Sequence, residues 1–308
     1  MEANRPSAKL RTTRPINPRL KGILLAAFGA ILWGGSGVGG QFLLQDCHFS
    51  PEWLASARML LAGVILLSID ASRHHGDIFS IWRDRHDAVQ LLAFALIGML
   101  GVQYTYFITI LYSNAPTGTI LQYLMPIIIV LWAALRAHRL PRIRETLCVL
   151  LAIAGTALIV THGSLHTLAI SPLALAWGIL SAFTAAFYTV QPKELMGKWR
   201  SSLVIGWGML GGGLALLPFA PPWQFTGTLN LSALLVFLYI VIFGTTIAFW
   251  SYLESINYIE PSETSIIDSL EPVSAIFFAS LLLHTPFGLI ECIGTAFIIS
   301  TVIIVTRS

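Results

Sequence analysis

The sequence predicts an all-α integral membrane protein whose ten transmembrane helices form two inverted five-helix repeats. Three observations predict this fold: an apolar composition, long stretches without charge, and basic residues confined to alternate connections. Of the 308 residues, 56% are hydrophobic and only 11% are charged, whereas soluble domains contain roughly 25% charged residues. So much apolar surface requires lipid rather than water around it.

Long stretches of the chain contain no Asp, Glu, Lys or Arg. They run from Asp87 to Arg136, from Glu145 to Lys193, and from Arg200 to Glu254. Each is long enough for two spans of roughly 20 residues and a turn. Because lipid offers the backbone no hydrogen-bond partners, each span should be a helix. The predicted spans are 22–45, 53–70, 88–112, 116–136, 145–161, 171–191, 201–219, 231–253, 262–283 and 286–305.

The basic residues predict the orientation. All but one of the 18 Lys and Arg residues lie on one side of the ten-span arrangement, in the N-terminal segment, after spans two, four and six, and at Arg307. Connections rich in Lys and Arg stay in the cytoplasm. We therefore expect a multi-pass protein of the cell (inner or plasma) membrane with both termini cytoplasmic. The exception is Arg58, inside span two.

The two halves of the chain resemble each other. GTILQYLMP at 118–126 parallels TSIIDSLEP at 264–272, an offset of 146 positions, and GAILWGGSGV at 29–38 aligns more weakly with SAFTAAFYTV at 181–190. Five spans are an odd number, so the second copy enters the membrane from the opposite face. Inverted repeats recur in secondary transporters, with the substrate site at the repeat interface. The predicted divisions are a basic tail at 1–21, a first repeat at 22–161 and a second repeat at 171–305.

Several short motifs resemble the EamA family of the drug/metabolite transporter superfamily. They are WGGSG at 33–37, an arginine in span two, LMP at 124–126 and LEP at 270–272, and the resemblance covers nearly the whole chain. It implies a ten-helix fold with a central cavity lined by spans one to four and six to nine. It also implies export or uptake of metabolites such as amino acids, and it leaves the solute open.

Charged residues within spans are the first candidates for a site, since each costs about 2.5–3.5 kcal/mol on insertion scales. Glu271 lies near the middle of span nine, with Asp268 one turn away on nearly the same face. They predict a polar, proton-binding wall of a substrate cavity; the alternative is a structural polar cluster. Arg58 should need a carboxylate, Glu271 or Glu291, or a substrate anion, unless it snorkels to the interface.

Uncharged candidates complete the site. Pro126 and Pro272 occupy matching positions in spans four and nine and predict hinges, because each removes a helical hydrogen bond; packing alone is the alternative. Polar or aromatic side chains within spans could orient a solute, although any one of them could instead join two helices. These candidates are Trp33, Ser36, Tyr106, Gln122, Tyr188 and Trp250.

The predicted function is a secondary transporter that moves a small organic solute by alternating access and uses protons if it is coupled to an ion. The resemblance to the family implies export. A passive channel and an intramembrane enzyme are the rival hypotheses. The three cysteines lack metal-ligand spacing, and the sequence contains no phosphate-binding glycine loop with lysine. We therefore expect no cofactor, metal, catalysis or nucleic-acid partner, and the expected partners are the lipid bilayer and the solute.

Overall fold

The computed structural model of the chain describes residues 17–74, 77–113, 115–138, 143–161, 171–283, 289–290, 292–294, 296–297 and 300. These residues form helices and connecting turns, with no β-strand among them. The all-helical prediction is therefore confirmed for the described part of the chain.

The principal helices of the described residues follow the predicted spans. They are α1 Pro18–Asp46, α2 Pro51–Arg73, α3 Arg85–Tyr112, α4 Ala115–Gln122, α5 Met125–Arg136, α6 Ile143–Thr161, α7 Pro172–Val190, α8 Lys193–Lys198, α9 Ser201–Leu216, α10 Leu231–Ser255, α11 Pro261–Ile267 and α12 Leu270–Leu283. Several begin at a capping residue followed by proline. In α2, for example, Ser50 Oγ accepts a hydrogen bond from Trp53 N at 3.1 Å, which satisfies a free N–H group of the first turn.

Within the described ranges, five helical segments are long and apolar enough to cross a membrane: α1, α2, α3, α10, and α7 together with α8. Such a length matches the roughly 20 residues that a bilayer core requires. The predicted membrane fold is confirmed to that extent. The tenth predicted span, 286–305, lies largely outside the described residues, so the count of ten spans stays a prediction.

Spans four and nine are broken rather than continuous. Span four divides into α4 and α5, and span nine into α11 and α12. Pro126 and Pro272 lie in the first turn after each break. A proline lacks the N–H group that would bond the carbonyl four residues earlier, which belongs to Gln122 or Asp268. The Asp268 carbonyl instead accepts from Glu271 N at 2.8 Å.

Two helices also change their winding at equivalent positions. A π-helical segment occupies Phe94–Leu100 in α3, and another occupies Ile240–Ile247 in α10. Their first residues are 146 positions apart, which is the offset of the sequence repeat. Short π-helical insertions often lie at functional sites. The two π-helical segments therefore occupy equivalent positions in the two parts of the chain.

A glycine in each π-helical segment lies against a helix from the other part of the chain. A Cβ atom at Gly98 would lie 3.1 Å from Tyr188 Cβ of α7, and one at Gly244 would lie 2.5 Å from Ser36 Cβ of α1. Ser36 and Tyr188 hold corresponding positions in the weaker sequence alignment. Each part of the chain thus makes the same close contact with the other.

The packing of the helices shows the same correspondence between the two parts of the chain. Helix α1 packs against α10 and α12, and α7 packs against α3, α4 and α5, while α2 packs along α9. The neighbours of α1 are the repeat equivalents of the neighbours of α7. The central cavity described below lies where these helices meet.

One end of the bundle carries the described ion pairs, and we call it the basic end; it includes Lys21, Arg73, Lys193, Lys198 and Arg200. Arg200 Nη2 donates to Asp70 Oδ2 at 2.7 Å, and Lys198 Nζ donates to Asp87 at 3.1 Å. These contacts tie α2 and α3 to the start of α9 and to α8. That this end faces the cytoplasm stays a prediction.

The opposite end is held by apolar contacts. Trp53 Nε1 donates to the Pro222 carbonyl at 2.9 Å. The rings of Phe49 and Trp53 each lie 4.7 Å from the ring of Phe225, measured between centroids. These contacts join the connection before α2 to the connection before α10, and they need no charged residue.

We expect Asp70→Asn to lower the free energy of unfolding by about 2 kcal/mol, since hydrogen bonds to charged groups contribute about 1.5–3 kcal/mol each. Asp70 is 1% exposed and accepts from both Arg200 and Ser202, and its hydrogen bonds raise the pKa of the Arg200 guanidinium. Thermal unfolding in detergent would measure the change. Asp77→Asn is the matched control, because Asp77 meets Arg83 only at 3.9 Å with both side chains exposed. Equal unfolding temperatures for the two variants would contradict the prediction.

Candidate functional site

A central cavity lies where α1, α2, α3, α7 and α10 meet the breaks in spans four and nine. Its volume is about 40 Å³. Most of the candidates from the sequence line it, namely Trp33, Ser36, Arg58, Tyr106, Gln122, Tyr188, Asp268 and Glu271. The structure therefore brings together side chains from six predicted spans.

Arg58 is a buried cation in the wall of the cavity, only 4% exposed. Its Nε donates a short hydrogen bond to Gln103 Oε1, and its guanidinium lies 4.2 Å from the centre of the Phe107 ring. A cation over an aromatic face is favourable, more so when it is desolvated. Among the described residues Arg58 forms no ion pair. The expected pairing with Glu271 is thus replaced by an amide and a ring, and Glu291 lies outside the described residues.

The two carboxyl groups of span nine lie beside the break in that span. Asp268 and Glu271 are 4% and 5% exposed. Thr119 lies within hydrogen-bonding reach of Glu271, whereas Asp268 Oδ1 has no hydrogen-bond partner in the described part of the chain. Buried polar atoms nearly always find a partner. Asp268 therefore offers an acceptor to a solute or to water in the cavity.

An aromatic cluster closes the cavity toward the basic end. It consists of Trp33, Tyr188, Phe249 and Tyr252. The Trp33 ring lies 4.7 Å from that of Phe249 and 4.8 Å from that of Tyr252, and the Tyr188 ring lies 5.8 Å from that of Phe249. Such tilted and edge-to-face pairs are favourable beyond their buried area.

The remaining predicted side chains connect helices around the cavity. The Tyr106 hydroxyl lies 3.0 Å from that of Thr119, and Gln122 Nε2 donates to Ser181 Oγ at 3.1 Å. Ser36 touches Gly244 at the π-helical segment of α10. These residues line the cavity and also join its walls, so both hypotheses for them remain open.

Trp250 is the predicted candidate that the structure places elsewhere. It is 37% exposed and lines a second, separate cleft at the basic end. Its neighbour Phe249 faces the central cavity instead. Gln103, an isolated amide within an uncharged span, also lines the cavity, and so does Met125, which no feature of the sequence indicates.

The cavity is too small for an organic solute. A volume of about 40 Å³ accommodates a few water molecules at roughly 10–15 Å³ each. Sites for small organic ligands measure roughly 300–1,000 Å³. Binding of an amino acid here therefore requires the surrounding helices to move apart.

The chain is similar to known transporters over nearly all of its length. The sequence profile of the EamA-like transporter family matches residues 20–161 and again residues 172–307. An uncharacterized inner membrane transporter of Salmonella typhimurium, YicL, is 42% identical over 93% of this chain and 95% of its own length. Protein PecM of Dickeya dadantii is 25% identical over 91% of this chain and 90% of its own length.

A solved crystal structure shares the fold. It superimposes with a TM-score of 0.74 and covers 94% of this chain and 98% of its own, at 16% sequence identity. At that identity the likeness concerns the fold alone. The twofold profile match and the extensive similarity to YicL show that the chain belongs to the EamA-like transporter family of membrane proteins.

Proposed function

We propose that the protein is a secondary transporter that moves a small organic metabolite, such as an amino acid or a related compound, by alternating access of two inverted halves. The observation that carries this proposal is the placement of Arg58, Asp268 and Glu271 in one buried cavity. Intramembrane ionisable residues mark solute and ion pathways.

The equivalent contacts of the two halves support alternating access. The π-helical segments are one repeat apart, and Gly98 and Gly244 make the same approach to the opposite half. In an inverted repeat, exchanging the conformations of the halves converts a site open on one side into a site open on the other. The breaks before Pro126 and Pro272 are the proposed hinges, because helical hydrogen bonds are already interrupted there.

The charges of the cavity support a solute with both signs of charge. Arg58 has further N–H donors beyond the one that Gln103 accepts, and these suit a carboxylate. Asp268 and Glu271 suit an ammonium group. The same two carboxyl groups are the proposed binding site of the coupling proton, and the proposed direction is export.

The proposed location is the inner membrane, with both termini in the cytoplasm. The name of the similar Salmonella protein and the cluster of basic residues at one end support it. Reporter tags at the two ends would test it, since both should label from the cytoplasm.

Two experiments in sequence test the proposed function. A thermal-shift screen of purified protein against amino acids, amines, carboxylates and drugs should give stabilisation by one solute class, with zwitterions favoured. Counterflow in proteoliposomes with that solute should then show exchange of labelled for unlabelled solute. Labelled solute that equilibrates without such exchange would favour a channel and contradict the proposal.

A further inference from the structure

A second cleft of about 630 Å³ lies at the basic end and shares none of its described lining with the central cavity. Its walls are α2, the segment from α8 into α9, and the end of α10. We call it the lateral cleft and define it by Ile69, Arg73, Arg200, Trp250 and Asn257. It is large enough for a small organic group.

Two walls of the lateral cleft change from apolar to polar in the same direction. Along α2, Leu66 and Ile69 are followed by Arg73, and along α10, Ile247 and Trp250 are followed by Glu254 and then Asn257. Both helices run toward the basic end, where Asn257 donates to Ser201 Oγ at the start of α9. The cleft therefore has an apolar part deeper along the bundle and a polar part at the end.

The apolar part is open on the outer surface of the bundle. Ile69 is 39% exposed and Trp250 is 37% exposed, and both belong to helices that are long and apolar enough to cross a membrane. The acyl chain of a neighbouring lipid can thus contact these side chains.

The polar part is lined by three cations, Arg73, Lys198 and Arg200, and by two carboxylates, Asp70 and Glu254. Asp70 is 1% exposed and pairs with Arg200, whereas Glu254 accepts from the uncharged donors Asn257 and Tyr258 and keeps its charge. Arg73 is exposed and makes no ion pair within the described ranges. Its guanidinium is available to a phosphate, for which its planar donor pattern is well suited.

We propose that the lateral cleft binds an anionic phospholipid, with the phosphate on Arg73 and an acyl chain along Ile69 and Trp250. Basic pockets between transmembrane helices at the cytoplasmic level are known to take such headgroups. The proposal concerns the lipid around the protein and does not depend on which solute it transports.

Native mass spectrometry of the full chain in detergent tests the proposal with two lipids of equal chain length. Phosphatidylglycerol should bind at least about fivefold more tightly than the zwitterionic phosphatidylcholine, since one arginine near the surface contributes about that factor. Arg73→Gln should remove this preference. Trp250→Ala should weaken both lipids alike, because it alters only the apolar part.

Arg83→Gln is the matched control, since Arg83 is exposed at the same end but lies outside the cleft, and it should keep the preference. Equal affinity of the wild-type chain for both lipids would overturn the proposal, as would equal behaviour of the two arginine variants. A competition experiment adds millimolar inorganic phosphate to the complex with phosphatidylglycerol. If it displaces phosphatidylglycerol, the ligand is a free anion rather than a lipid.

Discussion

Glu271→Gln is expected to reduce counterflow of the solute identified by the thermal-shift screen by at least tenfold. The substitution keeps the shape of the side chain and removes its charge. A hydrogen bond to a charged group contributes about 1.5–3 kcal/mol, which corresponds to roughly 10–150-fold in binding. Because Glu271 is 5% exposed and lies in the cavity wall, solvent cannot replace the lost interaction.

Glu260→Gln is the matched control for this prediction. Glu260 immediately precedes α11 and lies just outside span nine, and its side chain is 67% exposed and pairs with Lys193 at the basic end. This variant should exchange solute at the wild-type rate. Both variants should also reach the membrane in equal amounts. Wild-type exchange by Glu271→Gln would remove Glu271 from the proposed site.

Gly34→Ala is expected to lower the free energy of unfolding by about 3 kcal/mol or more and to reduce the yield of folded protein. A Cβ atom at Gly34 would clash with Ser274 Oγ and would lie 2.5 Å from Ala275 N and 2.6 Å from the Glu271 carbonyl. Overpacking costs about 1–3 kcal/mol when side chains can move. Here backbone atoms of α12 would have to move, so the cost should reach or exceed that range.

Gly197→Ala provides the comparison, because a Cβ atom there would have no other atom within 4 Å. Both glycines lie in helices, so both variants gain the intrinsic helix preference of alanine, which is about 1 kcal/mol. The difference between them isolates the clash. Thermal unfolding in detergent and the monodisperse fraction on size exclusion measure it. Equal values for the two variants would show that α1 and α12 do not pack as described.

The membrane fold could be predicted from the sequence because lipid restricts what a chain can do. Stretches without charge had to become helices, and the structure places α7 and most of α3 and α10 within them. Buried charges could be predicted as site residues for the same reason. Arg58, Asp268 and Glu271 are conspicuous in an apolar span, and all three line the central cavity.

The partners of these charges could not be predicted, because partners depend on helix rotation. Consecutive helical residues differ by about 100° around the axis. An apolar span has no polar face that reveals this rotation. The sequence therefore did not indicate that Phe249, rather than Trp250, reaches the cavity. The Arg58 guanidinium was expected to pair with a carboxylate. In the structure it donates instead to the side-chain amide of Gln103, which is 45 positions away in the sequence.

The breaks in spans four and nine were predictable only in part. The prolines indicate where a helical hydrogen bond is missing. They do not indicate whether the helix bends or stops. In span nine the Glu271 N–H donates to the Asp268 carbonyl. Whether the backbone adopts this conformation depends on the helices packed around it. The prediction that Pro126 and Pro272 act as hinges stays a prediction.

The two ends of the bundle are held together by different interactions, ion pairs at the basic end and aromatic contacts at the other. Salt weakens exposed ion pairs by screening, while salts such as sulfate strengthen apolar contacts. The carboxylates that pair with Arg200 and Lys198, namely Asp70 and Asp87, are buried, so salt should weaken these two pairs only in part, while sulfate should strengthen the contacts among Phe49, Trp53 and Phe225. The ionic composition of the medium should therefore change the relative strength of the contacts at the two ends of the bundle.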